Sequence, residues 1–224
     1  VIPRVVIERV ASPGGELVLS RRGTEYSIRV GGVELMSSRD HSSEDELGRA
    51  SAERVRAARP KAPRMLIGGL GMGFTLRAAL DALPRAAQVD VVEIVPAIVR
   101  WNRGELGPLA NAPLADPRVT VIEADVARVI DKARGYHAIV LDVDNGPAAV
   151  YEGNAALYKQ RGLAAARDAL APGGWLAVWS SFTSQTFTRW LREVGFAVEM
   201  VTVKSRGGPR HYVWFAQRAA TLGA

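Results

Sequence analysis

The sequence predicts an α/β chain. A doubly wound sheet closes with a C-terminal antiparallel hairpin, and a small N-terminal β-hairpin region precedes it. Three observations carry this reading. From residue 64 onward, short apolar runs alternate with helical patterns, as in a parallel sheet with helices on both faces. The first of these runs, Arg64-Met65-Leu66-Ile67, enters the glycine turn Gly68-Gly69-Leu70-Gly71-Met72-Gly73, and a helical pattern leaves it at Phe74. Acids then stand at the ends of later runs: Glu93, twenty residues after Gly73, followed by Asp125 and Asp142.

Taken in order, residues 1 to about 35 read as short strands. Glu16–Ser20, Thr24–Val30 and Val33–Met36 are separated by Arg21-Arg22-Gly23 and Gly31-Gly32, which punctuate hairpins. Ser43-Glu44-Asp45-Glu46 resembles a helix start with an acidic first turn, and that helix is expected to reach Ala58. Arg59-Pro60-Lys61-Ala62-Pro63 breaks it, which divides the chain into an N-terminal strand region with its linking helix (1–59) and a larger domain (60–224). Strands are expected at Arg64–Ile67, Val89–Val95, Val119–Glu123, Tyr136–Val143 and Trp175–Ser180. Between and after them come helices at Phe74–Leu83, Ala97–Arg103 (with Pro96 as its first residue), Val126–Ala133, Ala155–Leu170 and Gln185–Val194. Phe196–Val203 and Arg210–Gln217 form the terminal hairpin.

Composition narrows the function. The absence of cysteine excludes a disulfide scaffold, a thiolate metal site and a cysteine nucleophile. The three histidines, His41, His137 and His211, show no metal-ligand spacing, so no metal is expected. No apolar run approaches the ~20 residues that span a bilayer, and no secretory signal pattern is visible, so we expect a cytoplasmic protein without a membrane partner. A net charge of +6 raises the question of nucleic acid. The basic residues are mostly arginine, however, and are interspersed with acids along the chain; only Lys204, Arg206 and Arg210 cluster, around Gly207-Gly208-Pro209. Nucleic acid is therefore not the expected partner. The tryptophans Trp101, Trp175, Trp179, Trp190 and Trp214 fall at strand and helix positions that suit a core.

The glycine turn and the acids have the layout of a nucleoside-binding βαβ unit. Glycines let the backbone approach a ligand, and the first acid accepts hydrogen bonds from ribose hydroxyls. A dinucleotide fold would need a third glycine at position 74, where the chain has Phe74. The spacing Gly69-x-Gly71-x-Gly73 instead resembles the class I S-adenosylmethionine-dependent transferases, with a Rossmann-like sheet. In that superfamily an acid just past the third strand, here Asp125 in Glu123-Ala124-Asp125-Val126, usually binds the adenine amino group.

Within that superfamily the chain resembles the polyamine aminopropyltransferases, the spermidine synthase-like proteins, over nearly its whole length. Arg39-Asp40 matches an E-R-D-E segment before the first helix, and Ile67 to Gly73 an I-G-G-G-D-G-G turn. Val91-Val92-Glu93-Ile94 matches a V-E-I/L-D strand, and Asp116-Pro117-Arg118-Val119 a D-P-R-V strand entry. Asp142-Val143-Asp144-Asn145-Gly146-Pro147-Ala148 resembles a D-S-x-D-P-x-G-P-A loop, Leu157-Tyr158 an L-F/Y before a helix, and Arg210 to Phe215 the closing strand.

The resemblance implies a transferase that moves an aminopropyl group from decarboxylated S-adenosylmethionine to an amine such as putrescine, without a metal, as a homodimer. It implies a donor site of Gly69, Gly71, Gly73, Glu93, Ile94, Asp125 and Val126. Asp142 is the implied catalytic carboxylate, taking the proton of the attacking amine, and Asp144 holds or orients the amine. Asp40, Glu46 and Tyr151 are the implied acceptor contacts. Glu44, Asp45 and Glu152 add acids near the proposed mouth, which suits a cationic substrate.

The chain departs from the pattern at several positions. Gly71 stands where the family has an aspartate that helps hold the donor's propylamine. Leu35 falls on a donor-contacting glutamine, Glu44 falls on a tyrosine, and the Asp142 loop is shorter. Two other readings stay open: a methyltransferase that uses S-adenosylmethionine on a small molecule, and a non-catalytic nucleoside-binding member. The lack of an N-P-P-Y-type motif argues against a DNA adenine substrate.

Overall fold

The computed structural model describes residues 2–12, 14–143, 155–204 and 210–220. Two sheets organise them. In the first, β1 (Val5–Ser12), β2 (Gly15–Arg22), β3 (Glu25–Val30) and β4 (Val33–Ser37) form an antiparallel meander in sequence order. The turn between β3 and β4 is made by Gly31 and Gly32, with φ of 53° and 83°, the left-handed geometry that suits the twist of a tight hairpin. Leu19 pairs with Ile28 and Leu17 with Val30. Leu17, Leu19 and Ile28 are buried, so one face of this small sheet is an apolar wall.

The larger sheet contains β5 (Arg64–Gly68), β6 (Gln88–Glu93), β7 (Val119–Glu123), β8 (Tyr136–Leu141), β9 (Leu170–Ser180), β10 (Phe196–Lys204) and β11 (Arg210–Arg218). Its order is β10-β11-β9-β8-β5-β6-β7. The pairs from β7 to β9 are parallel, while β11 runs antiparallel between β9 and β10. The expected doubly wound sheet with its terminal hairpin is present.

Alternation along the strands builds a core on each face. Met65, Ile67, Val91 and Val140 pack with α1 (Ser42–Ala57), α2 (Phe74–Ala82) and α3 (Pro96–Arg103). Leu66, Val92, Ile139 and Leu141 pack with α4 (Val126–Lys132), α5 (Gln160–Ala169) and α6 (Gln185–Glu193). The apolar wall of the small sheet joins the first of these cores. Trp214 and Trp101 are buried, and Trp175, Trp179 and Trp190 are packed against the cores.

Several boundaries differ from the sequence reading. The helix expected over Ala155–Leu170 begins only at Gln160, after a 3₁₀ turn at Ala156–Tyr158 and an extended Lys159. Leu170 belongs to β9, which passes through Pro172-Gly173-Gly174 instead of starting after it. The register shifts there, between the Tyr136–Leu170 and Ala138–Trp175 pairs, and Gly173 takes a φ of 77°, so glycines read as a helix stop lie in an irregular stretch of strand. The strand expected to end at Val95 stops at Glu93, because the Glu93 side chain turns back to accept the Val95 N–H at 2.9 Å. Likewise β8 ends at Leu141, two residues short of Val143.

The order of winding reverses between β5 and β8: β6 and β7 are added on one side of β5, and β8 and β9 on the other. Beyond the carboxyl ends of strands at such a switch point an open α/β sheet leaves a crevice for ligands. The glycine turn leaves β5 there, and Asp142 follows β8 at the same place.

Candidate functional site

A cavity of about 540 Å³ opens over this switch point, a volume suited to a nucleoside-sized ligand. Its floor is Gly69, Leu70, Gly71, Glu93, Asp125 and Asp142, with Ile94 and Val126 beside them. Its roof comes from the N-terminal sheet: Leu17, Ile28, Val30, Leu35 and Met36. Phe74, Thr75 and Glu44 complete the side formed by α2 and α1, together with Trp179 from β9.

The turn is fixed by its backbone. Gly69 has a φ of 87°, and a Cβ there would stand 2.2 Å from the carbonyl oxygen of Asp142. The Gly69 N–H donates to Val92 O at 2.9 Å, and the Asp142 N–H donates to Gly68 O at 2.8 Å, so turn and acid are locked together. Only glycine fits such a close approach at a left-handed φ. Gly73 opens α2 in the same left-handed region and lies behind the cavity wall instead of lining it. Asn102 of α3, almost fully buried, fastens the turn from behind by donating to Gly71 O at 2.8 Å and Ile98 O at 2.9 Å. Sequence reasoning passed over Asn102. Its signal was a polar residue beside Ile98, Val99 and Trp101, on the apolar face of a helix.

Glu93 is buried with each carboxylate oxygen committed to the backbone. One accepts from Leu70 N–H at 3.0 Å within the glycine turn, and the other from Val95 N–H. Desolvation pushes its pKa up, while these bonds, with others from the Ile94 and Gly71 backbone, pull it down. Backbone N–H groups thus take up most of the acceptor directions of this carboxylate, which braces the turn where it borders the cavity. Asp125 caps α4 by accepting from Ala127 N–H at 2.9 Å while lining the cavity.

Asp142 faces the cavity and accepts a 2.6 Å hydrogen bond from the Thr75 hydroxyl. Desolvation, with the charge of Glu44 added, pushes its pKa up to about 7, against the lowering effect of Thr75. Across from it, Trp179 stacks at a tilt on His211, 4.9 Å between ring centres. Burial lowers the His211 pKa more than the charges of Glu44 and Asp40 raise it, so this imidazole is neutral near pH 7.

The structure therefore brings together Gly69, Gly71, Glu93, Ile94, Asp125, Val126 and Asp142 around one cavity. The acceptor residues named from the sequence are placed differently. Asp40 accepts from the Ser42 N–H and hydroxyl at 3.1 and 2.7 Å, at the start of α1, and is not part of the wall. Glu46 pairs with Arg49 at 2.5 Å on the outer side of α1. Asp144, Tyr151 and Glu152 lie outside the described residues, as does Arg206 of the basic cluster.

In place of Asp40 and Glu46 the wall holds Glu44. The reason is a helix crossing. On α1, a Cβ at Gly48 would stand 2.2 Å from the Thr75 carbonyl oxygen, so α1 rests directly on the first turn of α2. Glu44 lies four residues before Gly48, on the same face and one turn along, which carries it over Thr75 and Asp142. The signal available in the sequence was the glycine in mid-helix, a residue that costs helix stability unless close packing requires it.

Among the described residues, no group of three or more His, Asp or Glu is arranged to hold a metal ion. No described helix is long and apolar enough to cross a membrane.

The sheet order and the antiparallel strand next to its edge define a Rossmann-like fold of the methyltransferase type. Among solved structures the chain is similar to spermidine synthase from Thermotoga maritima, at 17% identity and a TM-score of 0.74 over 96% of this chain and 73% of that one. A spermidine synthase in complex with the transition state analogue AdoDATO gives 17% identity and a TM-score of 0.73 over 96% and 72%. Human methyltransferase-like protein 13 in complex with SAH gives 20% and 0.54 over 82% of each chain. No protein-family model and no curated protein matches the chain.

Proposed function

We propose that the protein is a transferase that binds an adenosyl-sulfonium donor over the glycine turn and alkylates an amine held at Asp142. The observation that carries this reading is the position of Asp142. It is a desolvated carboxylate fixed to the glycine turn by Gly68 O and oriented by Thr75, facing a cavity whose floor holds Glu93 and Asp125. The likeness in fold to spermidine synthases and to a methyltransferase supports the donor class.

The residues fit such a donor. Gly69 admits the ligand close to the backbone, Glu93 places a carboxylate at the end of β6 on the side proposed for the ribose, and Asp125 and Val126 suit the adenine side. The donor supplies a carbon activated by its sulfonium. A neutral amine forms the new N–C bond as the S–C bond breaks, and that electron pair leaves on sulfur as a neutral thioether. Asp142 takes the proton that the bound ammonium must lose before it attacks, the alkylated nitrogen leaves carrying the positive charge, and Thr75 and Glu44 set the basicity of Asp142.

Aminopropyl transfer from decarboxylated S-adenosylmethionine is our leading reading, with a homodimer as the proposed assembly and the aqueous interior of the cell as the proposed compartment. Methyl transfer from S-adenosylmethionine is favoured by one observation. At Gly71, where spermidine synthase-like proteins carry an aspartate, the nearest atom to an added Cβ is Met36 Sδ at 3.3 Å, an apolar neighbour instead of a carboxylate. Calorimetric titration of methylthioadenosine and S-adenosylhomocysteine separates the two. Tighter binding of methylthioadenosine is expected; preference for S-adenosylhomocysteine supports methyl transfer, and binding of neither overturns the donor site.

A further inference from the structure

The wall of the cavity divides by chemistry. Its described acids are Glu44, Glu93, Asp125 and Asp142, and no Lys, Arg or His is among its described residues. Glu93 is committed to the turn and Asp125 to the cap of α4, both on the floor proposed for the adenosyl group. Among the described residues that leaves one anionic end, Asp142 with Glu44, the latter accepting from the Ser43 hydroxyl at 2.6 Å. Away from it the roof is mostly hydrocarbon and thioether: Leu17, Ile28, Val30, Leu35 and Met36, from three adjacent strands of the N-terminal sheet, with Ser12 and Ser37 as uncharged polar members. Leu17 and Ile28 are almost fully buried and form the packed part of this wall, while Leu35 is exposed at its edge.

A linear diamine carries a second ammonium that loses its hydration wherever it meets such a wall, at a cost that no charge on the described roof residues offsets. A single ammonium on an apolar body meets no such penalty: the cation lies against two carboxylates and the body against the roof. We infer that the acceptor is a primary monoamine with an apolar body, its ammonium held between Glu44 and Asp142 and its body under the N-terminal sheet. Glu44 is the residue that sets this specificity. The inference rests on the transferase reading above and names its acceptor class.

Glu44 reaches this place because Gly48 seats α1 on α2, so the anionic end is a product of the fold. An incoming ammonium meets the Asp142 carboxylate, whose basicity the charge of Glu44 raises. The donated amine proton and the substrate's charge are thus managed by one pair of side chains.

The test uses the full chain. Hexylamine, putrescine and hexan-1-ol are each titrated calorimetrically, with and without methylthioadenosine, into the wild-type protein and Glu44→Gln. We expect hexylamine to bind at least tenfold more tightly than putrescine, hexan-1-ol to show no saturable binding, and Glu44→Gln to weaken hexylamine at least tenfold. Methylthioadenosine affinity should be unchanged in Glu44→Gln, which also shows that the variant is folded. Putrescine binding as tightly as hexylamine, or hexan-1-ol binding as tightly as hexylamine, overturns the inference. So does a Glu44→Gln variant with undiminished hexylamine affinity. Failure of methylthioadenosine to bind the wild type overturns the donor site instead, and the titrations without nucleoside still decide the acceptor class.

Discussion

The floor and the roof of the cavity are built by different means. The floor is backbone: a glycine turn at the end of β5, acids at the ends of β6 and β8, and another just past β7, held by hydrogen bonds of 2.8–3.0 Å between main-chain groups and carboxylates. The roof is side chain: an apolar sheet face and one carboxylate carried over the site by a helix crossing at Gly48. A floor set by main-chain geometry tolerates little change, whereas a roof set by side chains can be altered residue by residue. The difference separates what the site binds in common with its fold from what it selects.

The largest effect is expected on the floor. Gly69→Val puts a branched side chain where a Cβ alone would stand 2.2 Å from Asp142 O, at a φ of 87°. Backbone strain of this kind costs about 1–3 kcal/mol before the clash is counted. We expect loss of methylthioadenosine binding and a marked drop in melting temperature, both read by thermal shift with and without nucleoside. A variant that binds normally breaks the claim that the floor is backbone-specified.

Asp142→Asn comes next. Removal of a general base lowers turnover about 10²–10⁴-fold, and we expect that loss with nucleoside affinity retained. The wild-type rate should rise with pH through about 7, as Asp142 ionises, and this limb should vanish in the variant. Stability moves the other way. The folded pKa lies above the ordinary 3.8, so the stabilising effect of the partly buried neutral acid is complete below about 3.8 and is lost as pH rises through about 7. Asp142→Asn should therefore melt higher than wild type at pH 8 and equally at pH 3.5, by calorimetry at both pH values.

On the roof side, Gly48→Ala forces α1 off α2, because its Cβ meets the Thr75 carbonyl oxygen. Overpacking typically costs about 1–3 kcal/mol, readable by denaturant unfolding, and amine affinity should fall more than nucleoside affinity. The smallest effect belongs to Leu35→Gln. Leu35 is 43% exposed, so stability should stay within about 0.5 kcal/mol, while hexylamine affinity falls a few-fold.

The same division explains what was legible in the sequence. The strand–helix alternation, the glycine turn and the acids Glu93, Asp125 and Asp142 follow local rules, so the fold and the floor were readable from residue 64 onward. The roof was not. Position in an acidic run gives no sign that Glu44 turns inward while Glu46 pairs with Arg49; the crossing of α1 over α2 decides it, and that is a tertiary fact. Asn102 escaped notice because its partner, Gly71 O, lies 31 residues away. The extent of β9 was missed because Pro172-Gly173-Gly174 reads as a stop, although pairing with β8 carries the strand through it.

The most direct test of the central claim is product release. The full chain is incubated with decarboxylated S-adenosylmethionine and an amine series that includes putrescine and hexylamine, and methylthioadenosine is quantified beside an Asp142→Asn control. The account predicts amine-dependent methylthioadenosine release that falls at least a hundredfold in Asp142→Asn. No release with any amine, or release that is undiminished in Asp142→Asn, contradicts it.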